Sequence, residues 1–542
     1  MKANTRKRWG WVTAAALGAT VTSSAFGAEI DTGTDLKIRW DNTVKYSAAA
    51  RVASRSDKLL TNPNFDDGDR NFDRGLISNR FDLLSELDVT YGNVGARVSG
   101  AAWYDTIYNR GTGNDFPFTY NAVSAPYDSF TRDTRNLHGR KAELLDAFVF
   151  GKADVGEMNV KGRLGRHALL YGESLFFGSN GIAAAQSPID AIKAISVPNT
   201  QFKELLRPVN QVSGQVQVNE NVSVGAYYQF EWDRHRIPAS GSYFSIADAV
   251  DKGGERVHAG PGGLSFYRGR DVEAKDSGQG GVQVRWRPDD VNTDFGFYAA
   301  RYHDKFFQVY VEPGVGAGGA PGKIGEYRLV FPEAIQVYGA SFSTTLGTAN
   351  VAGEVSMRRN MPLVATGGSV LAGPGADNHS NPAYPVGNSL HANLSMIDAY
   401  GGNQIWEAAN LIAEIAWNHR LNITKNPQAL DPNSTRDAVS LRFVFEPTYF
   451  QVLNGLDISV PIGIGYTPYG RSSVVQGFGP EHGGDISIGI NGDYLKTWKF
   501  SLSYTHYFGS AAPSVDPVSG LFTFKQTLRD RDFVALSLSR TF

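Results

Sequence analysis

Gln211-Val212-Ser213-Gly214-Gln215-Val216-Gln217-Val218, a turn at 219–221, and then Val222-Ser223-Val224-Gly225-Ala226-Tyr227-Tyr228-Gln229-Phe230-Glu231-Trp232 decide the fold class. In the second run Val222, Val224, Ala226, Tyr228, Phe230 and Trp232 alternate with Ser223, Gly225, Tyr227, Gln229, Glu231 and Asp233. Successive side chains of a strand point to opposite faces, so this period of two makes a ribbon with one apolar and one polar face. The pattern recurs outward from this hairpin. Leu36, Ile38, Trp40, Val44 and Tyr46 alternate with Lys37, Arg39, Asp41, Thr43 and Lys45. Phe81, Leu83, Leu87, Val89 and Tyr91 alternate with Asp82, Glu86, Asp88 and Thr90, and a Gly92-Asn93 turn leads into Val94, Ala96, Val98, Ala102 and Tyr104.

A soluble sandwich would bury the apolar face, whereas a transmembrane barrel turns it to lipid, so the connections have to choose. Short turns at 92–93, 219–221, 288–292, 346–349, 399–404, 453–456 and 495–497 alternate with long polar, Gly/Pro-rich loops. That is the two-rimmed pattern of an outer-membrane barrel. Eighteen strands are read: 36–46, 81–91, 94–104, 142–151, 158–166, 211–218, 222–232, 279–287, 293–303, 333–345, 349–358, 388–398, 405–417, 438–452, 457–466, 484–494, 498–508 and 532–542. The even count suits a single-chain barrel, and 388–398 is kept because without it the turn near Gly401 would fall on the wrong rim. The class is all-β: one transmembrane antiparallel barrel of 16–18 strands over 28–542, with a lumenal insert containing short helices at 173–207. Phe542, on an alternating strand with Val534, Leu536, Leu538 and Arg540, resembles an outer-membrane assembly signal.

Composition and the leader agree with export. Lys2, Arg6, Lys7 and Arg8 precede a short apolar run from Trp9 to Val21, and Ala25-Phe26-Gly27 supplies small residues for signal peptidase, so a signal peptide over 1–27 is expected to be removed. Setting those four cations aside leaves 48 basic against 54 acidic residues, which disfavours a nucleic-acid partner. Cysteine is absent, excluding disulfides, thiolate metal sites and cysteine nucleophiles. No Gly-x-Ser-x-Gly elbow occurs, the ten histidines lack helical metal spacing, and Gly314, Gly316 and Gly319 lie in a Gly/Pro-rich stretch with no following helix. Neither an enzyme nor a cofactor is expected.

The run Asp67-Gly68-Asp69-Arg70-Asn71-Phe72-Asp73-Arg74-Gly75-Leu76-Ile77-Ser78-Asn79-Arg80, the stretch from Gly165-Arg166-His167 to Gly172-Glu173-Ser174-Leu175-Phe176-Phe177-Gly178, and Ser187-Pro188-Ile189-Asp190 resemble the domain-of-unknown-function 1302 family of proteobacterial outer-membrane proteins. Phe331-Pro332-Glu333, Tyr338-Gly339, Phe445-Glu446-Pro447-Thr448-Tyr449 and Pro461-Ile462-Gly463 resemble it too. The resemblance implies a barrel associated with uptake of lipid-like or other hydrophobic nutrients, and with an exported lipoprotein and an inner-membrane transporter as partners.

A barrel of this size leaves an aqueous channel unless something narrows it. The segment 173–207 reads as a constriction: Pro188 in the first turn of a short helix through Ala194, then a helix entry at Thr200 with Glu204, ended by Pro208. The alternative is an ordinary extracellular loop. As a constriction, Phe176, Phe177, Ile189, Ile192, Phe202, Leu205 and Leu206 would touch a greasy substrate, and Arg166, Lys193, Lys203 and Arg207 a carboxylate or sulfate head, with Asp190 and Glu204 alongside. Asp67, Asp69, Asn71 and Asp73 resemble a calcium loop, but Phe72 stands where glycine is required and Arg70 and Arg74 favour a salt-bridged loop base. Asp233, Arg234, His235 and Arg236 read as a solvated cluster facing outer-membrane lipid or lipopolysaccharide. Trp103, Tyr104, Tyr302, Trp406, Trp417, Tyr466, Trp498 and Tyr504 read as interfacial girdles. Three functions stay open: passive uptake of hydrophobic or amphipathic small molecules, a porin for small polar or anionic solutes, and a surface adhesion or assembly scaffold. No energy-coupling box is evident near residue 28.

Overall fold

The computed structural model describes residues 28–197 and 199–542, so the expected signal peptide lies outside the described residues. Eighteen antiparallel strands form a closed barrel. They are β1 (Leu36–Arg51), β2 (Gly75–Tyr91), β3 (Val94–Asp105), β4 (Arg140–Val155), β5 (Met158–His167), β6 (Val209–Gln217), β7 (Val222–Gln229), β8 (Gln279–Trp286) and β9 (Thr293–Tyr302). The second half comprises β10 (Ile335–Leu346), β11 (Ala349–Pro362), β12 (Val386–Tyr400), β13 (Ala408–Lys425), β14 (Asp437–Leu453), β15 (Leu456–Ser459 and Ile462–Gly470), β16 (Gly484–Tyr494), β17 (Trp498–Phe508) and β18 (Phe533–Thr541). Each strand pairs with its sequence neighbour, and β18 closes on β1 from Thr43↔Thr541 to Arg51↔Phe533. β15 is interrupted where Pro461 has no N–H to give the ladder. All eighteen expected strands are present, 388–398 included.

Burial is inverted relative to a soluble protein. Along β11 Val355 is exposed while Glu354, Ser356 and Arg358 are buried, and along β13 Ile415 is exposed while Glu414, Ala416 and Asn418 are buried. Phe81, Leu83, Leu87, Val98, Val224, Val284, Leu394, Ile486, Ile488, Leu502 and Leu536 belong to the same outward apolar belt. No described helix is long and apolar enough to cross a membrane, so the crossing is made by strands. A closed antiparallel barrel with a polar lumen and an apolar belt is how a chain spans the bacterial outer membrane, and this chain does so.

Tight turns lie on one rim, as between β2 and β3, where Gly92 takes φ +55° at the first turn position that a two-residue hairpin reserves for glycine. The other rim carries the long connections. Three of them combine into a five-stranded outer sheet of Arg256–His258, Ser265–Arg268, Gln308–Pro313, Lys323–Val330 and Ser369–Leu371. Gly314, Gly316 and Gly319 sit at the turn of its central hairpin. Arg540, a cation at a position of the last strand that alternates with apolar Leu538 and Leu536, lies 5.1 Å from the Trp498 ring and 6.0 Å from that of Phe542, so its charge faces aromatic surface at the rim.

The girdle reading holds for exposed Tyr104, Trp498 and Tyr504 but needs correction at two places. Tyr302 is buried, packing with Ile335, Val337 and Met361. Trp103 alternates inward from exposed Tyr104, gives its indole N–H to Leu137 O at 3.0 Å, and stacks near Arg80. Period two places a residue on a face, whereas the loops above it decide whether the inward face is wet.

Candidate functional site: the lumenal insert and its anchors

The connection between β5 and β6 turns into the barrel, and two glutamates of the wall hold it. Glu414 Oε2 accepts the N–H groups of three successive residues, Leu175 at 3.1 Å, Phe177 at 3.0 Å and Phe176 between them, while Asn393 Nδ2 donates to Oε1 at 2.8 Å. Glu354 accepts from Glu173 N at 2.6 Å, Ser174 Oγ at 3.0 Å and Ile182 N at 3.0 Å. A cradle of N–H dipoles satisfies a buried carboxylate that forms no ion pair. The approach is close enough that a Cβ at Gly172 or Gly181 would run into the Glu354 carboxylate. That is a packing reason for glycine at both positions.

Further ties reach other walls. Glu173 Oε1 pairs with Arg285 of β8 at 2.9 Å. Asn180, fully buried, donates to Asn393 Oδ1 at 2.7 Å and to Trp417 O at 3.0 Å, and its Oδ1 faces His391 Nδ1 at 3.0 Å. Asn199 Oδ1 accepts from Arg442 of β14 at 3.0 Å and from Ser487 of β16 at 3.2 Å. The insert thus touches β8, β11–β14 and β16. Its own core is Ala183, Phe202 and Leu205, with Leu170, Ile189 and Leu206 against it.

The helix of the insert is α1 (Ala191–Ser196), beginning after Pro188 and capped by Asp190, whose Oδ1 accepts from Lys193 N at 3.1 Å. The second turn is a 3₁₀ turn over Phe202–Leu205, with Glu204 Oε1 accepting from Gln201 N at 3.3 Å. Thr200 instead gives its hydroxyl to Val197 O at 2.8 Å, so the entry lies one residue later than the sequence suggested.

The residues expected to meet a substrate head are mostly occupied. Arg166 forms a two-fold pair with Glu231 at 2.8 Å, Arg207 pairs with Asp233 at 3.0 Å, and Lys193 caps Glu204 O at 3.0 Å. Asp190 Oδ2 pairs with Arg236 at 2.9 Å. Phe176 lies under the Arg442 guanidinium at 5.8 Å, Phe177 against Phe478 at 5.9 Å, and Phe202 is buried inside the insert. Ile192 is half-buried on α1 and Lys203 is exposed. The lumen wall elsewhere carries a cross-strand pairing of Arg97 on β3 with Glu86 and Asp88 on β2, and a pair within β2 between Arg80 and Asp82.

Asp67, Asp69, Asn71 and Asp73 do not converge. Asp67 to Arg70 form one helical turn, which sends alternate side chains in different directions. Asp69 lies between Arg51 at 2.8 Å and Arg531 at 3.1 Å, Asn71 accepts from Asn114, and exposed Asp73 pairs with Arg55. A different group does converge: Asp66, Asp67 and Asp248, with oxygens within 4.8 Å of one another. Burial, together with Asp66, pushes the Asp248 carboxyl up to about 7, and burial also holds Asp67 well above the usual carboxylate range. The solvated reading of 233–236 is likewise overturned. Arg234 pairs with Asp251, Asp271 and Glu273, Arg236 with Glu143 and Asp190, and His235 Nδ1 accepts from Ile189 N at 3.0 Å. That cluster fastens the insert to the wall and to the outer loops.

Sequence reasoning missed Glu354 and Glu414. Each is a lone carboxylate among small and apolar residues, in Val351-Ala352-Gly353-Glu354-Val355 and Ile412-Ala413-Glu414-Ile415-Ala416. An isolated acid on the inward face of such a strand, flanked on both sides by small or apolar residues, is the signal that was available.

The family model described as "Protein of unknown function (DUF1302)" matches residues 8–542. No curated protein matches the sequence. Among solved structures, Acinetobacter baumannii OccAB1 is 11% identical with a TM-score of 0.42, covering 96% of this chain and 98% of that one. OccAB4 of the same organism is 9% identical at 0.42, covering 96% and 99%. The outer membrane channel DcaP of Acinetobacter baumannii is 6% identical at 0.37, covering 95% and 99%.

Proposed function

The chain belongs to the DUF1302 family, and we propose that it is a narrowed outer-membrane channel for passive uptake of small amphipathic molecules. The observation that carries this is the fastening of 173–207 across the lumen by Glu354, Glu414 and the Arg442–Asn199 contact. An unobstructed barrel of this strand number is an open pore. Here a folded segment with its own apolar core occupies that space, and solute passes beside it along a wall of charged pairs. The charged wall favours a cargo with a polar or ionic part, and half-buried Phe176, Phe177 and Ile192 of the insert favour one with an apolar part.

The test is single-channel conductance of the purified, refolded barrel in a planar bilayer. A small, flickering conductance that grows when the insert is released supports the reading. A large, steady conductance in the unaltered protein overturns it in favour of a porin for small polar solutes, the second reading, for which the Arg97, Glu86 and Asp88 wall speaks. Ligand binding at the outer rim with no flux at all would instead favour a surface scaffold. The exported lipoprotein and inner-membrane transporter implied by the family resemblance would act at the periplasmic rim, where pull-down from a detergent extract tests them.

A further inference from the structure

Above the insert, between it and the outer loops, lies a cavity of about 90 Å³. Its floor is Ser179 and Ala184 of the insert, and its sides come from the ends of β9 and β11 and from the loop after β15. Two cations line it, Lys305 and Arg358, and both are almost wholly buried. Neither forms an ion pair among the described residues. Lys305 Nζ has three protons to donate and, among the described residues, meets one hydrogen-bond acceptor, Ala184 O at 3.4 Å, and the face of the Tyr302 ring at 5.1 Å from its centroid. Arg358 gives Nη2 to Ser179 O at 3.0 Å and Gly181 O at 2.8 Å, and its Nε has no partner. Asp304, next in sequence to Lys305, commits Oδ1 to the Phe306 N–H at 2.9 Å and bridges to neither cation. Two cations against one nearby carboxylate leave a net positive charge in a buried place, which is costly without an anion. The opposite wall is apolar: Met361, Leu363, Val474 and Val475.

We infer that this cavity is the outer head-group site of the channel, taking an amphipathic monocarboxylate with its carboxylate on Lys305 and Arg358 and its hydrocarbon on Leu363 and Val475. The inference rests on the uptake reading and names the cargo. It differs from the sequence expectation, because Arg166, Lys193 and Arg207 already hold protein acceptors while Lys305 and Arg358 have donors to spare. The volume holds a carboxylate and a short chain, and longer tails extend toward the mouth.

The experiment is titration calorimetry of the whole refolded barrel in non-ionic detergent with sodium hexanoate, 1-hexanol and sodium acetate. Hexanoate is expected to bind saturably at one site, with hexanol and acetate each roughly tenfold weaker or more, the loss for removing a charge-assisted hydrogen bond or the apolar contact. Lys305→Met is expected to weaken hexanoate by a similar factor and Lys305→Arg to restore it. No saturable hexanoate binding, equal binding of hexanol, or an unchanged Lys305→Met overturns the site. The comparison of the three probes uses the unaltered protein, so a variant that fails to fold does not decide the matter. Conductance separates the two readings. Hexanoate binding to a barrel without flux sinks the channel and keeps the site, and hexanoate flux without saturable binding does the reverse.

Discussion

Two regions of this barrel bury carboxylates, and they do so by opposite means. In the lumen, Glu354 and Glu414 are met by main-chain N–H groups of a segment more than 170 residues away in sequence, with no arginine among their hydrogen-bond partners. At the outer mouth, Asp69 and Asp530 are met by the guanidinium groups of Arg51 and Arg531, which are themselves wholly buried. A cradle of N–H groups exists only while the insert holds its conformation, so the lumenal anchors make the insert's fold and its attachment one event. The ionic cluster instead joins β1, the loop before β2 and the loop before β18, so it fastens the seam where the barrel closes. The difference teaches that one end of the molecule is built to close the cylinder, the other to position what lies inside it.

The largest effect should come from the seam. Arg531 bonds Asp69 and the Tyr243 carbonyl and stacks 5.5 Å from the Tyr243 ring. Arg531→Met removes one partner and leaves Asp69 and Asp530 buried with Arg51 alone, which costs about 3–5 kcal/mol. Urea unfolding in detergent micelles should show it as a lowered midpoint with an unchanged slope. A midpoint within error of the unaltered barrel would mean that the seam does not depend on this network.

Next comes Glu414→Gln. The amide keeps one oxygen for three converging N–H groups and turns an NH₂ toward the rest, and hydrogen bonds to a charged acceptor are worth about 1.5–3 kcal/mol each. Barrel stability should fall little, since the strand ladder is untouched, while conductance rises and becomes noisy as residues 175–177 come loose. Parallel losses in stability and conductance would erase the distinction between the two regions.

The mouth also holds carboxylates that are only half satisfied, Asp66 by Arg70, Asp67 by the Asn121 N–H and Asp248 by the Asp67 N–H. Asp66, Asp67 and Asp248 each retain an unpaired buried oxygen. Around Asp248 stand Asp66 and Asp67, with Arg70 beside Asp66 and Arg531 beyond. Burial raises the folded carboxyl of Asp248 to about 7, above its ordinary 3.8. A group whose folded pKa is raised stabilises below its unfolded pKa and loses that contribution as pH rises toward the folded value. Stability of the outer loops should therefore fall between about pH 4 and pH 7, read by limited proteolysis at each pH, and Asp248→Asn should flatten the profile. A slope that survives in Asp248→Asn assigns the effect elsewhere.

How much of this was legible in the sequence follows from the same contrast. Period two and turn spacing place every strand because they are local signals, and β1 to β18 each overlap their expected segment, although β1, β2 and β13 run five to eight residues further at the outer end. The insert was legible as a segment unlike a strand, through Pro188 and Asp190. Its partners were not, since nothing local links Phe176 to Glu414 or Ile182 to Glu354. The aspartates at 67, 69 and 73 looked like one group by spacing, and a single helical turn dispersed them, while Asp248 joined from a loop 181 residues on. The five-stranded outer sheet escaped because its strands are three to eight residues long and glycine-flanked.

The smallest effect belongs to two residues that the sequence reading placed at the constriction, Lys193 and Glu204. Lys193 reaches Glu204 Oε2 only at 4.0 Å, and both side chains are nearly half exposed. Exposed pairs of this kind contribute about 0–1 kcal/mol, because water screens the attraction and two long side chains lose rotamer freedom. Its better contact, Nζ to Glu204 O at 3.0 Å, closes α1 onto the 3₁₀ turn inside a segment already held by Phe202 and Leu205. Lys193→Ala should leave unfolding and conductance within error of the unaltered barrel, against the clear response of Glu414→Gln. A conductance change as large as that of Glu414→Gln would mean that the cation lines the narrowest point of the path, and would move the site of selection from the mouth to the face of α1.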